Sequence, residues 1–405
     1  MQRKLILIGL AIAMMGQAFA EIIQPPAPTG PFAVGTESRR MVDEKRPEAF
    51  TDAADDHREL MVQFWYPAEG TEGKETTTYL PANPQVRAAM FAQLMIPAKR
   101  VDEEIMPWRT KSVQGADVSM LKGKFPVVLF SHGFGGYRGQ NLSQMEELAS
   151  RGYVVVSIEH TFCASAVEFP DGRIVYFDDE FKQKPNPDRE ALDKRYDELA
   201  RLWAADASFV IDQLEKINAT KGDAFAGKLD LDKIGMFGHS FGGATSGEMC
   251  LKDARVKCGI NMDGRPYGDS RVQGVKQPFM VLCMVRGAEP SPMLLAQAGI
   301  TKEVYMAIVA QMMGEYENIM RTTPEGYMAQ MTHVDHFNFS DFPYISELSP
   351  VRKMVVGDID PVRGGKIING YVVEFFGKYL KGESAPMLAE SAKHEAEVTF
   401  SVYSK

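Results

Sequence analysis

The stretch Lys233–Ala244, KIGMFGHSFGGA, constrains the fold of this chain more than any other. Apolar Ile234, Met236 and Phe237 lead into Gly238-His239-Ser240-Phe241-Gly242, and small Gly243 and Ala244 open a helical run that continues to about Lys252. The order reads as a buried strand, a tight turn and a helix. A serine held at such a corner needs neighbours without side chains on both sides, which Gly238 and Gly242 supply. The helix that follows aims free N–H groups at an oxygen that becomes charged there. In a chain with 35 glycines the pentapeptide G-x-S-x-G is a weak signal by itself; its flanks make Ser240 a candidate nucleophile rather than a helix-capping hydroxyl in a glycine-rich turn.

The amino terminus points to export. Arg3 and Lys4 precede an apolar run from Leu5 to Met15, and Ala18-Phe19-Ala20 completes the three-part layout of a signal peptide over residues 1–20, cut after Ala20. The run is too short to span a bilayer comfortably, and no cysteine at the cut suggests a lipid anchor. The expected location is therefore the periplasm or the medium. The remainder, residues 21–405, reads as a single domain, because its strand and helix signals do not restart. With 54 acidic against 45 basic side chains the net charge is −9. Nucleic acid is excluded as a natural partner, and contact with a lipid surface is expected to be transient. Four cysteines, Cys163, Cys250, Cys258 and Cys283, are too few for a disulfide scaffold. Cys250 and Cys258 read either as one bridge or as two small buried residues.

Along the chain, residues 21–56 read as a surface wrap with a short strand near 32–36. Leu60–Tyr66 alternates as a strand and stops at Pro67. Val86–Leu94 is helical, and Phe125–Phe130 has the continuous apolar character of a central parallel strand. Leu142–Ser150 reads as a helix, Tyr153–Ile158 as the next strand, and Gly172-Arg173 as the turn of a hairpin. A helix over 189–217 carries an apolar stripe that includes Trp203, Val210 and Leu214. Strands follow at Cys258–Met262, Phe279–Met284 and Tyr327–Met331, then a closing helix from Val362 to Leu380 and an edge strand from Val398 to Tyr403. This alternation predicts an α/β protein with a mostly parallel central sheet flanked by helices, binding its ligand at the carboxyl ends of the strands. Residues 289–321 are helical and rich in methionine, and are expected to cap the serine with an adaptable apolar surface.

A serine nucleophile needs a base within hydrogen-bond reach and an acid to orient that base. Asp263, directly after the strand Cys258–Met262, is the first candidate acid, with Asp269 the alternative. His333 and His336 are the candidate bases, and the residues alone do not separate them. His239 adjoins the serine and points elsewhere; His132 and His160 end strands and shape the surroundings. The pair at 333 and 336 lacks a third ligand at metal spacing. Oxyanion donors are expected at the backbone N–H of Phe241 and of Phe134, where Gly133 and Gly135 let the chain approach closely.

The motifs together resemble the plasma-type, isoform II platelet-activating factor acetylhydrolase family, in a form like its bacterial members. The matching pieces are Trp65-Tyr66-Pro67, Ser131-His132-Gly133-Phe134-Gly135-Gly136, Glu159-His160, Gly238 to Thr245, Cys258-Gly259-Ile260 with Asp263, and His336-Phe337-Asn338-Phe339-Ser340-Asp341-Phe342. The resemblance implies an α/β-hydrolase fold with Ser240 as nucleophile, Asp263 as acid, His336 as base and oxyanion donors at Phe134 and Phe241. It implies no cofactor, no metal and a substrate that is a small ester or a short-acyl phospholipid cut at its sn-2 position. A general carboxylesterase and a non-catalytic exported lipid-binding protein are the competing expectations. The methionine-rich segment between Asp263 and His336 departs from the family pattern and bears on the substrate alone.

Overall fold

A computed structural model describes residues 23–404 apart from 54, 93, 122, 179–188, 286–289, 291–294, 296–298 and 350. The expected signal peptide thus lies outside the described residues. Two long strands, β1 (Ala33–Pro47) and β2 (His57–Glu69), pair antiparallel from Ala33 opposite Ala68 to Asp43 opposite Arg58. The expected short strand near 32–36 is in fact fifteen residues long, so much of the supposed surface wrap belongs to the sheet. The reason is position: β3 (Ser112–Gln114) covers only Val34–Thr36, so the rest of β1 is an edge where charged side chains such as Arg40 and Glu44 reach water. Strand β2 likewise runs through Pro67, whose carbonyl accepts from Ser119 N–H at 2.9 Å beside the short strand β4 (Asp117–Val118).

The centre of the sheet is made of strands buried on both faces. These are β5 (Phe125–Ser131) and β6 (Val154–Glu159), then, past a separate hairpin of β7 (Ala166–Glu168) and β8 (Ile174–Tyr176), β9 (Leu229–His239), β10 (Val256–Met262), β11 (Phe279–Met284) and β12 (Glu325–Met331). With the edge strand β13 (Val398–Ser404), the order is β13-β12-β11-β10-β9-β5-β6-β2-β1-β3, parallel from β12 to β6 and antiparallel where β13 and β2 join. Both faces of a parallel sheet must be covered. Beyond the short α1 (Pro84–Ala92), helix α2 (Leu142–Ser150) covers one face. Helix α3 (Arg189–Ala219) covers the other through Ala207, Val210 and Leu214. Helix α4 (Phe241–Lys252) follows β9 directly.

The methionine-rich stretch does not form a distinct cap among the described residues. Its described helix, α5 (Lys302–Thr322), packs Met312, Tyr316, Ile319 and Met320 into the core, while Met293 falls outside the described residues. Burial of one helical face, with the stripe at three- and four-residue spacing, explains this better than a lid would. Helix α6 (Pro361–Phe376) completes the α2 face through Ile367, Ile368, Tyr371 and Phe375. All four cysteines are buried and outside any disulfide, so Cys250 and Cys258 are the small buried residues of the second reading.

Candidate active site

The corner at Ser240 is built by close backbone approach. A Cβ on Gly238 would stand 2.2 Å from the Gly242 backbone, and one on Gly242 would stand 1.9 Å from the Ser131 carbonyl oxygen. With both positions bare, β9 turns into α4 through Ser240 at φ 55° and ψ −122°, a left-handed conformation that a side chain disfavours. Ser240 N–H donates to the Met262 carbonyl at 2.8 Å, which pins the corner to β10.

The next strand end supplies the carboxylate. Asp263 follows β10 at φ 55°; its N–H donates to the Leu282 carbonyl at 2.7 Å, and its Oδ1 accepts from Met284 N–H at 3.1 Å. Its Oδ2 is thereby turned toward His336, whose Nδ1 lies 2.7 Å away. His336 begins a single 3₁₀ turn, His336–Phe339, capped by Asp335 and closed by Asn338 in a reciprocal capping box. The ring's Nε2 then reaches Ser240 Oγ at 3.0 Å. Hydroxyl, imidazole and carboxylate, from three different strand ends, form one hydrogen-bonded line.

The alternatives lie elsewhere. His333 is exposed and faces Asp358 at 2.9 Å, and Asp269 is held on the surface by Arg201 and Lys252. Those two cations, by hydrogen bonding first, lower the Asp269 carboxyl below its usual range. Among the described residues no group of three or more His, Cys, Asp or Glu is arranged to hold a metal.

Two hollows meet at Ser240 and His336. One is walled by apolar Met90, Phe91, Leu94, Phe342 and Ile345 and floored by Gly133–Gly136. The other lies between α3 and α5, walled by Tyr196, Tyr267, Ile308 and Met312 with Asp193 and Arg265. Phe134 borders both, and Phe241 borders the second. Phe241 opens α4, so its N–H is in the first turn of that helix, where main-chain donors lack intrahelical acceptors.

Beneath the glycine loop lies a polar cluster that the sequence did not reveal. His160 Nδ1 donates to Asp206 at 2.9 Å, Ser131 Oγ–H donates to His160 Nε2 at 2.9 Å, and Arg58 grips Asp206 at 2.7 and 3.1 Å and Glu48 at 3.1 Å. The His160 main-chain N–H donates to His132 Nε2 at 3.1 Å, and His132 Nδ1 donates to the Gly133 carbonyl at 2.7 Å. Burial drives both imidazoles below their ordinary value, His132 to about 3. Burial opposes ionisation of Asp206 too, but Arg58 and the bond from His160 prevail and hold the carboxyl well below the usual range.

A strained serine at a β-to-α corner, hydrogen-bonded to a histidine and through it to a carboxylate at the carboxyl edge of a parallel sheet, defines the serine-hydrolase class with the α/β-hydrolase fold. The family model described as platelet-activating factor acetylhydrolase, isoform II, matches residues 17–201 and 215–387, and the chain belongs to that family. Among curated relatives, the protein called Probable 1-alkyl-2-acetylglycerophosphocholine esterase of Arthroderma benhamiae is 27% identical over 399 residues, covering 93% of each chain. The platelet-activating factor acetylhydrolase of Cavia porcellus is 25% identical over 64% of this chain and 58% of its own. Among solved structures, a ferulic acid esterase from Streptomyces cinnamoneus aligns with a TM-score of 0.73 at 26% identity, covering 94% of this chain and 99% of that one.

Proposed function

We propose that this esterase hydrolyses short-chain acyl esters, including the sn-2 acetyl or short acyl group of phospholipids, with Ser240 as nucleophile. The observation that carries the reading is the line Ser240 Oγ, His336, Asp263 at 3.0 and 2.7 Å, placed where two hollows meet. Ser240 Oγ attacks the ester carbonyl carbon while its proton passes to His336 Nε2, and Asp263 holds the imidazolium. The tetrahedral oxyanion accepts from the N–H groups of Phe134 and Phe241. As the C–O bond breaks, His336 returns the proton to the departing alcohol. Water then attacks the acyl-enzyme, its proton goes to His336, and collapse releases the acid and restores Ser240 O–H. The chain's own groups carry every proton, so the reading needs no cofactor.

The test is hydrolysis of p-nitrophenyl acetate by wild type and Ser240→Ala. The expected loss is about 10⁶-fold in kcat; equal rates would remove the nucleophile and the reading with it. Likeness to the ferulic acid esterase over nearly its whole length supports a second reading, a carboxylesterase of other small esters. A rate comparison between an sn-2 acetyl glycerophospholipid and a methyl hydroxycinnamate separates the two. Export belongs to the proposal as well, and N-terminal sequencing of the secreted or periplasmic protein is expected to begin at Glu21.

A further inference from the structure

The glycine loop and the histidine turn are joined by an unbroken chain of hydrogen bonds that passes through two side chains. Gly133 N–H donates to Gln140 Oε1 at 3.0 Å, Gln140 Nε2 pairs with His239 Nδ1 at 2.5 Å, and His239 Nε2 pairs with the His336 carbonyl at 2.9 Å. The roles are fixed from the two ends. A carbonyl only accepts, so His239 Nε2 carries a proton; Gln140 Oε1 is occupied as an acceptor, so its NH₂ is what faces His239 Nδ1, which must be bare. The imidazole is therefore neutral, in keeping with burial and the neighbouring His336, which lower its pKa to about 3. The Gln140 main chain joins the same two regions, since its carbonyl accepts from Asp341 N–H at 3.0 Å, just beyond the histidine turn. Packing is equally tight: a Cβ on Gly136 would stand 2.1 Å from Gln140 Oε1, and one on Gly133 would stand 3.2 Å from His239 Nδ1.

We infer that Gln140 and His239 are positioning residues that set the glycine loop bearing Phe134 against the His336 turn, so that the oxyanion donor and the base are held in one register. The inference rests on the esterase reading above. Both side chains border the first hollow beside Ser240 and His336, and each fixes a backbone segment of the site: Gln140 the glycine loop, His239 the turn that carries the His336 ring. Misplacement of about 1 Å in such a site costs on the order of 10²-fold in rate. The effect should fall mainly on kcat, because the transition-state oxyanion is what the loop must meet.

The experiment uses p-nitrophenyl acetate, with wild type and Ser240→Ala as the reference pair, and the variants Gln140→Leu and Gln140→Glu checked for folding by circular dichroism and thermal melting. Gln140→Leu breaks the chain and is expected to lower kcat about 10²-fold, with KM within about threefold. Gln140→Glu gives the decisive readout. Its carboxylate still accepts from Gly133, but its second oxygen meets a bare nitrogen unless one proton is shared with His239. That variant should recover activity at low pH and lose it as pH rises through the pair's deprotonation, adding a descending limb that wild type lacks. A merely structural glutamine would produce no such limb. Folded variants with wild-type kcat and an unchanged pH profile, beside a dead Ser240→Ala, would overturn the inference and leave the esterase reading standing; wild type no faster than Ser240→Ala would overturn both.

Discussion

Among the described residues, two Ser–His–Asp lines have nearly the same geometry. In one, Ser240, His336 and Asp263 are joined at 3.0 and 2.7 Å; in the other, Ser131, His160 and Asp206 are joined at 2.9 and 2.9 Å. They differ in everything around the bonds. His336 is 32% exposed and faces both hollows, whereas the side chains of His160 and Asp206 are wholly buried. Ser240 stands at a left-handed corner at the head of α4, whereas Ser131 is the last residue of an ordinary strand. The Asp263 carboxylate meets the His336 imidazole and the Met284 N–H, while Asp206 is also claimed by Arg58. Trp203 stacks on His160 at 3.9 Å and closes its ring face. A hydrogen-bonded serine, histidine and aspartate are thus not a catalyst in themselves. An open approach and a positive-φ corner at the head of a helix are what distinguish the proposed site from a structural brace.

The largest expected contrast comes from the same substitution in each line. Asp263→Asn should lower kcat about 10⁴-fold by favouring the wrong imidazole tautomer, with little change in melting temperature. Asp206→Asn should do the reverse. It leaves Arg58 buried with one carboxylate fewer, at a cost of about 3–5 kcal/mol in urea unfolding, while the folded fraction keeps its esterase rate to within about tenfold, less than an oxyanion-donor loss would cost.

A smaller effect depends on pH. Burial lowers the His160 pKa in the folded protein below the ordinary 6.5. As pH falls past 6.5 the unfolded chain takes up this proton first, so the native state loses stability. His160→Gln removes that group. Its destabilisation relative to wild type, measured by urea unfolding, should therefore be greater at pH 7.5 than at pH 5; a gap that widens at pH 5 would mean that His160 is charged in the fold. The smallest effect is that of Ser131→Ala, which deletes one hydrogen bond and should cost about 1 kcal/mol with near wild-type kcat. A loss of kcat as large as that of Ser240→Ala would erase the distinction between the two lines.

Of these two regions only one was legible beforehand. Ser240 and Asp263 were legible because each ends an apolar strand, and the glycines around Ser240 mark the corner. His336 was separable from His333 only through the family resemblance, since both lie in one short loop; in the structure His336 meets Ser240 while His333 is turned toward Asp358. Nothing in the chain advertises the buried line, whose members are 29 and 46 residues apart and meet through the sheet crossover and the packing of α3. The Gln140–His239 link, spanning 99 residues, was hidden for the same reason. Strand β1 was underestimated because its charges read as surface, which they are, on one side of an edge strand. The methionines of α5 suit a cap by composition, and composition does not say which face of a helix meets the sheet.

The most direct measurement is covalent labelling of the native enzyme with a fluorophosphonate, followed by peptide mapping. Ser240 alone should carry the phosphonyl group, in one-to-one proportion with lost esterase activity, and Ser131 should stay unmodified until the protein is unfolded. An adduct at Ser131 in the native protein, or complete inactivation with Ser240 untouched, would contradict the assignment.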